Sequence, residues 1–268
     1  MTAKTTQTSA TSLKTSESSA ATTKTAKSSA EKPTQSTKSS KPTRPAKKHP
    51  FAEGLSFKKL FFIFLIGSVF GTIYEDLLIY GQTYFATGTG VWMTHRGVIW
   101  GPFNVIYGFG AALMCWVLLR KKLENWQIFV YSAFIGGAVE YGLSFLQETF
   151  TGTTSWNYSN QIMNIAGRTT VPIMAFWGIL GLILVKIIYP FLSHLIESIP
   201  REFGERLFVL LLVFMIFNML ISWTAILRQN LRHHGIKPFT PIGEFLDAKF
   251  NDDYLKRYFP NMVRTDGK

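Results

Sequence analysis

The sequence predicts an all-α integral membrane protein, a bundle of about five transmembrane helices that follows a disordered N-terminal tail. Apolar residues make up 47% of the 268 residues. They are concentrated in segments of about 20 residues, the length of helix that crosses the hydrocarbon core of a bilayer. Lys and Arg cluster in alternate short loops, as they do in multi-pass membrane proteins. We therefore expect a location in the cell membrane and contact with the lipid bilayer.

Residues 1–50 form a basic tail with ten Lys and Arg, two Asp and Glu, and 22 Ser and Thr. Such a segment cannot bury enough apolar surface to offset the entropy that ordering would cost, so we expect it to be disordered. Because this tail carries +8 of the formal net charge of +12, the basic character is mainly a property of the tail, and it predicts contact with anionic lipid and no binding of nucleic acid. A phosphorylated or partner-binding segment is the alternative.

The predicted transmembrane domain spans residues 51–230, and a C-terminal tail follows at 231–268. The first apolar segment is expected to remain as an anchor, because the chain shows no short apolar core of the kind that a cleavable signal peptide needs. The five segments expected to form helices lie at 57–80, 101–120, 126–148, 172–194 and 205–227.

Positive charge predicts that the N-terminus is cytoplasmic. Lys58 and Lys59 precede the first helix, residues 120–122 are Arg-Lys-Lys between the second and third, and Arg201 and Arg206 precede the fifth. Lys and Arg accumulate on the cytoplasmic side of short loops, so these loops are expected to lie inside.

The number of crossings and the charge of the C-terminal tail disagree about the side of the membrane on which the tail lies. Five crossings would place it outside, although residues 228–268 carry eight Lys and Arg against five Asp and Glu. Either the tail is exported despite its charge, or one segment is re-entrant. The fourth segment is the candidate for that exception, because Lys186 and Pro190 interrupt it.

The C-terminal tail contains a further helix signal. Thr240 is expected to be the N-cap and Pro241 the first helical residue. Apolar residues then recur on one face as far as Tyr258, with basic residues nearby. This amphipathic helix is expected either to lie flat at the membrane interface or to fold onto the bundle.

Acidic residues are expected at membrane depth on two helices. Glu75 shares a helix face with Ser68 and Thr72, and Glu140 begins a similar polar stripe that continues to Glu148. A charged side chain at the bilayer centre costs about 3 kcal/mol on insertion scales. These carboxylates are therefore expected to face the interior of the bundle, and Glu140, the deepest, is the strongest functional candidate.

The loops on the same side as these acids carry Arg96 and Arg168. We therefore predict an outward-facing polar cluster in which carboxylates meet a cation or a proton and arginines hold anionic groups. The alternative is a set of ion pairs that tie loops to helix ends. The predicted cluster comprises Glu75, Arg96, Glu140, Glu148, Asn157 and Arg168.

Several kinds of site are not indicated by the sequence. Cys115 is the single cysteine, which excludes an intrachain disulfide and argues against a structural zinc site. No phosphate-binding loop of the Walker type, no hydrolase motif and no zinc-protease motif occurs. We therefore predict no cofactor, no metal and no catalytic residue, and no ATP hydrolysis by this chain itself.

Residues 60–190 resemble a known family in several rare residues that occur in order. These are Glu75, Arg96-Gly97, Gly101-Pro102, the run Ile106-Tyr107-Gly108-Phe109-Gly110, Glu140, the run Trp156-Asn157-Tyr158-Ser159, Asn164, Gly167-Arg168 and Trp177-Gly178. Together they resemble the bacterial CmpB-like family of putative type IV ABC-transporter permeases. The resemblance implies a multi-pass transport component that works with a separate ATPase subunit.

The chain departs from that family at two positions. Val105 stands where family members tend to have proline, and Asn157 stands where they tend to have aspartate. The second difference removes a possible acid from the cluster. No Glu-Ala-Ala type loop for docking an ATPase is present in the sequence.

Three functions remain open from the sequence. The first is a transporter permease component with a substrate route lined by the polar cluster. The second is a membrane-embedded enzyme or accessory factor that acts on lipid or cell-wall precursors, with Glu140 as proton carrier and the arginines on phosphate. The third is a structural scaffold in which the ion pairs only hold the bundle together.

Overall fold

A computed structural model describes residues 49–265, so all but the last two residues of the predicted N-terminal tail lie outside the described part. The helices are α1 Phe57–Thr87, α2 Val105–Leu118, α3 Asn125–Thr151, α4 Val171–Ile183, α5 Tyr189–Glu197, α6 Arg201–His233, α7 Pro241–Lys249 and α8 Asp252–Tyr258. A π-helical segment, Leu184–Ile188, joins α4 to α5. The short strands are β1 Thr153–Thr154, β2 Asn164–Ile165, β3 Thr169–Thr170 and β4 Val263–Arg264.

The prediction of an all-α membrane bundle is confirmed. Four helical segments in the described residues are long and apolar enough to cross a bilayer: α1, α3, the continuous run Val171–Glu197, and α6. The run Val171–Glu197 has 27 residues and passes through its π-helical segment and Pro190 without a break. The expectation that the fourth segment is the exceptional one was therefore wrong.

The second segment is the exception, because α2 has only 14 residues. At 1.5 Å per residue it is about 21 Å long, which is shorter than the hydrocarbon core. It is preceded by residues 95–104, an irregular stretch that we call the inserted segment. Val98 and Ile99 in its middle are 0% and 1% exposed, so the centre of this stretch packs inside the bundle, whereas Pro102 is exposed.

Side chains and backbone of α1 and α6 satisfy the backbone of the inserted segment. The Ile99 N–H donates to Ser222 Oγ at 2.9 Å, and the Asn104 N–H donates to the Ser68 carbonyl at 2.9 Å. Irregular backbone at membrane depth is tolerated only where protein groups replace the missing water. The Asn104 side chain then caps α2 by accepting from the Ile106 N–H at 3.3 Å.

Glycines allow α1 and α2 to pack closely. A Cβ on Gly108 would lie 2.1 Å from Ser68 Oγ and 2.6 Å from the Phe64 carbonyl oxygen. In lipid, close approach of helix backbones at small residues is a main source of helix association. The contact begins the main hydrophobic core, which continues through buried Phe64, Met114 and Trp177.

Two ion pairs join helices at the end of the bundle where α1 begins. Lys58 Nζ lies 2.5 Å from Glu205 Oε2 on α6. Lys59 is fully buried and binds Glu197 and Ser193 of α5. These lysines, which the loop-charge pattern predicts to be cytoplasmic, tie α1 to the two helices beside it.

The C-terminal tail folds onto the opposite end of the bundle. Thr240 caps α7, as the sequence predicted, by accepting from the Gly243 N–H at 3.1 Å. Leu246, Phe250 and Leu255 are buried against α6 and Ile99 in a second hydrophobic core. The strand β4 pairs antiparallel with β1, directly after α3. The tail therefore lies at the same end as the 88–104 and 152–170 connections.

Candidate functional site

A cavity of about 520 Å³ lies at the end of the bundle that carries the C-terminal tail. Helices α1, α2, α3, α4 and α6 form its walls, together with the inserted segment, the connection after α3 and residues 259–262 of the tail. Aromatic side chains make up much of its apolar lining: Tyr74, Trp156, Phe176, Trp177, Trp223 and Phe259. Two carboxylates, an arginine and a histidine also face it, so the cavity combines apolar walls with a few ionisable groups, as ligand pockets do.

Glu75 on α1 reaches the cavity beside Tyr107, the third residue of α2. Tyr107 Oη donates a hydrogen bond to Glu75 Oε1 at 2.8 Å. The Tyr107 ring lies against Gly71, where an added Cβ would approach it to 2.4 Å. The glycine on α1 thus creates the space that lets a residue of α2 hold a carboxylate of α1.

Glu140 on α3 is only 6% exposed and is held by the connection between α3 and α4. Tyr158 Oη donates to Glu140 Oε1 at 3.0 Å, and Thr169 Oγ1 on β3 donates to Oε2 at 2.7 Å. Burial raises the pKa of the Tyr158 phenol, and the neighbouring Glu140 carboxylate raises it further. The hydroxyl therefore stays protonated at neutral pH and remains a donor.

Neither carboxylate has a basic partner among the described residues. No Lys, Arg or His nitrogen in this part of the chain lies within 4.0 Å of Glu75 or Glu140. The groups that bind them directly are neutral: hydroxyls bind both acids, and the Trp177 indole also bonds to Glu140. The two acids are also near enough to each other to interact electrostatically. Both carboxyl groups can thus accept further hydrogen bonds, and no basic side chain among the described residues pairs with them.

Arg96 and His95 bring nitrogen groups to the same cavity from the inserted segment. The Arg96 guanidinium lies over the ring of Tyr258 in α8, 5.2 Å from its centre, and its Nε donates to Thr94 Oγ1 at 3.2 Å. The backbone N–H of His95 donates to Asp76 Oδ1 at 2.8 Å. His95 Nε2 is buried and has no hydrogen-bond partner in the described residues.

Two other predicted cluster members pair with each other and do not line the cavity. Arg168 Nη2 lies 2.5 Å from Glu148 Oε2, and Nη1 donates to Ser144 Oγ at 3.3 Å. The guanidinium also lies over the rings of Tyr141 and Phe145. This arrangement fits the alternative that the sequence left open, an ion pair that ties a loop to a helix.

Asn157 also lies outside the cavity lining. Its Oδ1 accepts from the Ser159 N–H at 2.8 Å and from the Ser159 hydroxyl at 2.6 Å, which closes a turn. Tyr158 within this turn is fixed further by its N–H, which donates to the Gly167 carbonyl at 2.7 Å. Asn157 thus helps to position the tyrosine that holds Glu140.

The structure adds residues that the sequence reasoning missed. His95, Tyr107, Tyr158, Thr169 and the 259–262 segment were not predicted as parts of the site. Their neighbours in sequence gave the only signal: His95 precedes Arg96, while Tyr107 and Tyr158 occur inside the runs that carry the family resemblance. The described residues hold no group of three or more His, Cys, Asp or Glu arranged to bind a metal ion.

Comparison with known families gives one match. The family model described as "Putative ABC-transporter type IV" matches residues 62–223. The matched region contains Glu75, Arg96 and Glu140, and it ends before the C-terminal tail that closes one side of the cavity. Comparison with curated proteins and with solved structures found no match.

Proposed function

Since the chain belongs to the family of putative type IV ABC transporters, we propose that it is the membrane-spanning component of a transporter and that the cavity is its substrate site. The sequence contains no phosphate-binding loop of the Walker type. ATP hydrolysis would therefore be supplied by a separate ATPase subunit, which this component would couple to movement of its substrate.

The observation that carries this proposal is the convergence of Glu75 and Glu140, from two different helices, on one aromatic-walled cavity without a basic partner in residues 49–265. Acidic groups within transmembrane segments are costly, and where they persist they commonly mark substrate or proton pathways. Carboxylates that serve only to hold helices together would be expected to pair with a cation, as Glu205 does with Lys58 at the other end of the bundle.

Arg96 would offer the substrate a positive charge, opposite in sign to that of the two acids. Only its Nε makes a hydrogen bond within the described residues, so both Nη groups remain available as donors. A guanidinium presents these donors in a planar fork that matches a carboxylate or a phosphate. In this proposal Glu75 and Glu140 face a cationic part of the substrate or a proton, and Arg96 faces an anionic part.

The orientation follows from loop charge. With Lys58, Lys59 and residues 120–122 on the cytoplasmic side, the cavity lies toward the outer face of the membrane. The basic residues of the N-terminal tail would then contact anionic lipid of the inner leaflet. Transport in either direction is compatible with this arrangement.

Transport by sealed membrane vesicles tests the proposal. Vesicles are prepared from source cells that lack the gene and carry the wild-type chain, Glu140→Gln, or no chain. They are given ATP and a mixture of small solutes, and mass spectrometry measures which solutes cross. We expect at least one solute to cross only with the wild-type chain.

The matched control is Glu205→Gln, the same change in the ion pair at the far end of the bundle. It should transport as the wild type does, whereas Glu140→Gln should not, at equal abundance in the membrane. Identical solute profiles with and without the wild-type chain would overturn the proposed function.

A further inference from the structure

We propose that the cavity selects a ligand whose cationic group bears N–H donors, a primary ammonium or a guanidinium, and that it binds this group through Glu75, Glu140 and His95. This inference rests on the proposed function, because it specifies the class of substrate. The cavity presents several hydrogen-bond acceptors, and its walls are largely aromatic.

The carboxylates supply the first acceptors. Each carboxylate oxygen can accept two hydrogen bonds. Within the described residues Glu75 Oε1, Glu140 Oε1 and Glu140 Oε2 each accept one, from Tyr107, Tyr158 and Thr169. The Trp177 indole also bonds to Glu140, and even so each carboxylate can accept further N–H donors from a ligand, in surroundings where an unmade hydrogen bond is costly.

His95 supplies a further acceptor. Its Nδ1 lies 3.0 Å from the Met93 carbonyl oxygen and 3.6 Å from Asp76 Oδ1, two atoms that can only accept. In the neutral ring the hydrogen therefore resides on Nδ1, which leaves Nε2 as an acceptor. The His95 side chain is 10% exposed and lines the cavity, and its Nε2 has no hydrogen-bond partner in the part of the chain that the structure describes.

These acceptors distinguish between two kinds of organic cation. A primary ammonium has three N–H donors and a guanidinium has five, so either can satisfy several acceptors at once. A quaternary ammonium has none. It would gain the attraction of the acids and of the aromatic faces, but it would bury His95 Nε2 and the carboxylate lone pairs without hydrogen bonds.

The aromatic walls favour a cation with a compact apolar body. Tyr74, Phe176 and Trp177 line the same cavity as the two acids. Such surfaces attract cations and shield apolar groups from water. Arg96, the other charged group that lines the cavity, is held over Tyr258 at the C-terminal tail, where it can receive an anionic substituent of the same ligand.

Intrinsic fluorescence can measure this binding, because three of the seven tryptophans line the cavity. The full chain in lipid nanodiscs is titrated at pH 7.5 with cyclohexylammonium, cyclohexyltrimethylammonium and cyclohexanol. The primary amine is fully protonated at this pH, because its pKa is close to that of lysine, about 10.4. We expect saturable binding of cyclohexylammonium, at least tenfold tighter than binding of the other two probes.

Variants then assign the acceptors. Glu140→Gln and Glu75→Gln should each weaken cyclohexylammonium binding tenfold or more, and Glu205→Gln should leave it unchanged. His95→Phe keeps a ring but removes the acceptor, so it should reduce the preference for the primary over the quaternary amine. Glu75 is half-buried, so its variant provides a test if Glu140→Gln does not fold.

The binding and transport experiments together distinguish the proposed ligand class from the proposed transport function. Equal affinity for the two amines, or binding that ignores both glutamate changes, would overturn the proposed ligand class even if the vesicles transport a solute. No saturable binding of any probe would overturn it too. Saturable, glutamate-dependent binding by a chain that moves no solute in vesicles would support the ligand class and reject the transport function.

Discussion

The side-chain amide of Asn218 binds both backbone polar groups of Trp100. The Trp100 N–H donates to Asn218 Oδ1 at 3.1 Å, and Asn218 Nδ2 donates to the Trp100 carbonyl at 2.7 Å. Asn218 is fully buried near the middle of α6. One side chain thus supplies the two hydrogen bonds that a neighbouring strand would provide, and it fixes the inserted segment at depth.

Replacing Asn218 by leucine should destabilise the protein. The change keeps the approximate volume but leaves the Trp100 N–H and carbonyl buried without partners, at a cost of about 2 kcal/mol or more. Thermal unfolding of the purified protein in detergent should show a lower midpoint than for the wild type. Asn125→Ala, at an exposed position, is the control. Equal midpoints for the two variants would show that Asn218 does not hold the segment.

Gly108→Ala should disrupt the contact between α1 and α2. The added methyl would meet Ser68 Oγ at 2.1 Å and the Phe64 carbonyl at 2.6 Å, and the backbone atom cannot move aside without shifting α1. We expect a loss of at least 1 kcal/mol, the usual cost of overpacking. Gly142→Ala is the matched control, because an added Cβ there has no neighbour within 4 Å. Denaturation of both variants measures the difference, and equal stability would contradict the close packing.

The helices could be predicted from sequence because each is encoded locally. An apolar run of sufficient length identifies a membrane helix, and Thr240 followed by Pro241 marks the start of α7. The spacing of Glu75 and Glu140 within their helices likewise placed both acids on interior faces. Local patterns of this kind need no knowledge of what the rest of the chain does.

The inserted segment and the composition of the site could not be predicted in the same way. Trp100 and Asn218 are 118 residues apart, and no local pattern links them. Arg96 and Arg168 look alike in sequence as loop arginines. Only the fold shows that Arg96 faces the cavity whereas Arg168 binds Glu148.

Cysteine labelling should place the C-terminal tail opposite the N-terminus. The single cysteine, Cys115, is buried, so Cys115→Ala gives a background without thiols. In this background Thr89→Cys and Lys256→Cys should react with a membrane-impermeant reagent added to intact cells. Lys121→Cys should react only after the membrane is opened. Protection of Lys256→Cys in intact cells would contradict the shared side of the tail and the 88–104 connection.

Docking of the tail should depend on pH through Asp247. Hydrogen bonds from Arg228 and then Arg232 hold the pKa of this carboxyl below its ordinary value of 3.8. A carboxyl whose pKa is lower in the folded state stabilises that state above the unfolded pKa, and the contribution disappears as pH falls through the folded value. Docking should therefore be strongest above about pH 4 and weaken below it.

Hydrogen exchange in α7 and α8 measures this effect when the wild type and Asp247→Asn are compared at each pH, which cancels the intrinsic pH dependence of exchange. Protection of the wild type should exceed that of the variant at pH 6, and the difference should shrink progressively as the pH falls below about 4. A difference that stays constant across this range would show that the Asp247 charge does not hold the tail.

The tail segment 259–262 should limit access to the cavity. Phe259 is 8% exposed and lines the cavity, and the backbone after it is fixed by β4 and by the Thr265 N–H, which donates to the Gly152 carbonyl at 3.0 Å. A thiol placed at Leu143 on the cavity wall, in the Cys115→Ala background, reports entry of a water-soluble reagent. Phe259→Ala should speed its labelling severalfold, because it removes a ring from the wall without unpairing the strands.

The control is Phe245→Ala, a change at an exposed position on α7, which should leave the labelling rate unchanged. Equal rates in the two variants, at equal thermal stability, would mean that reagents reach Leu143 by a route that the tail does not cover.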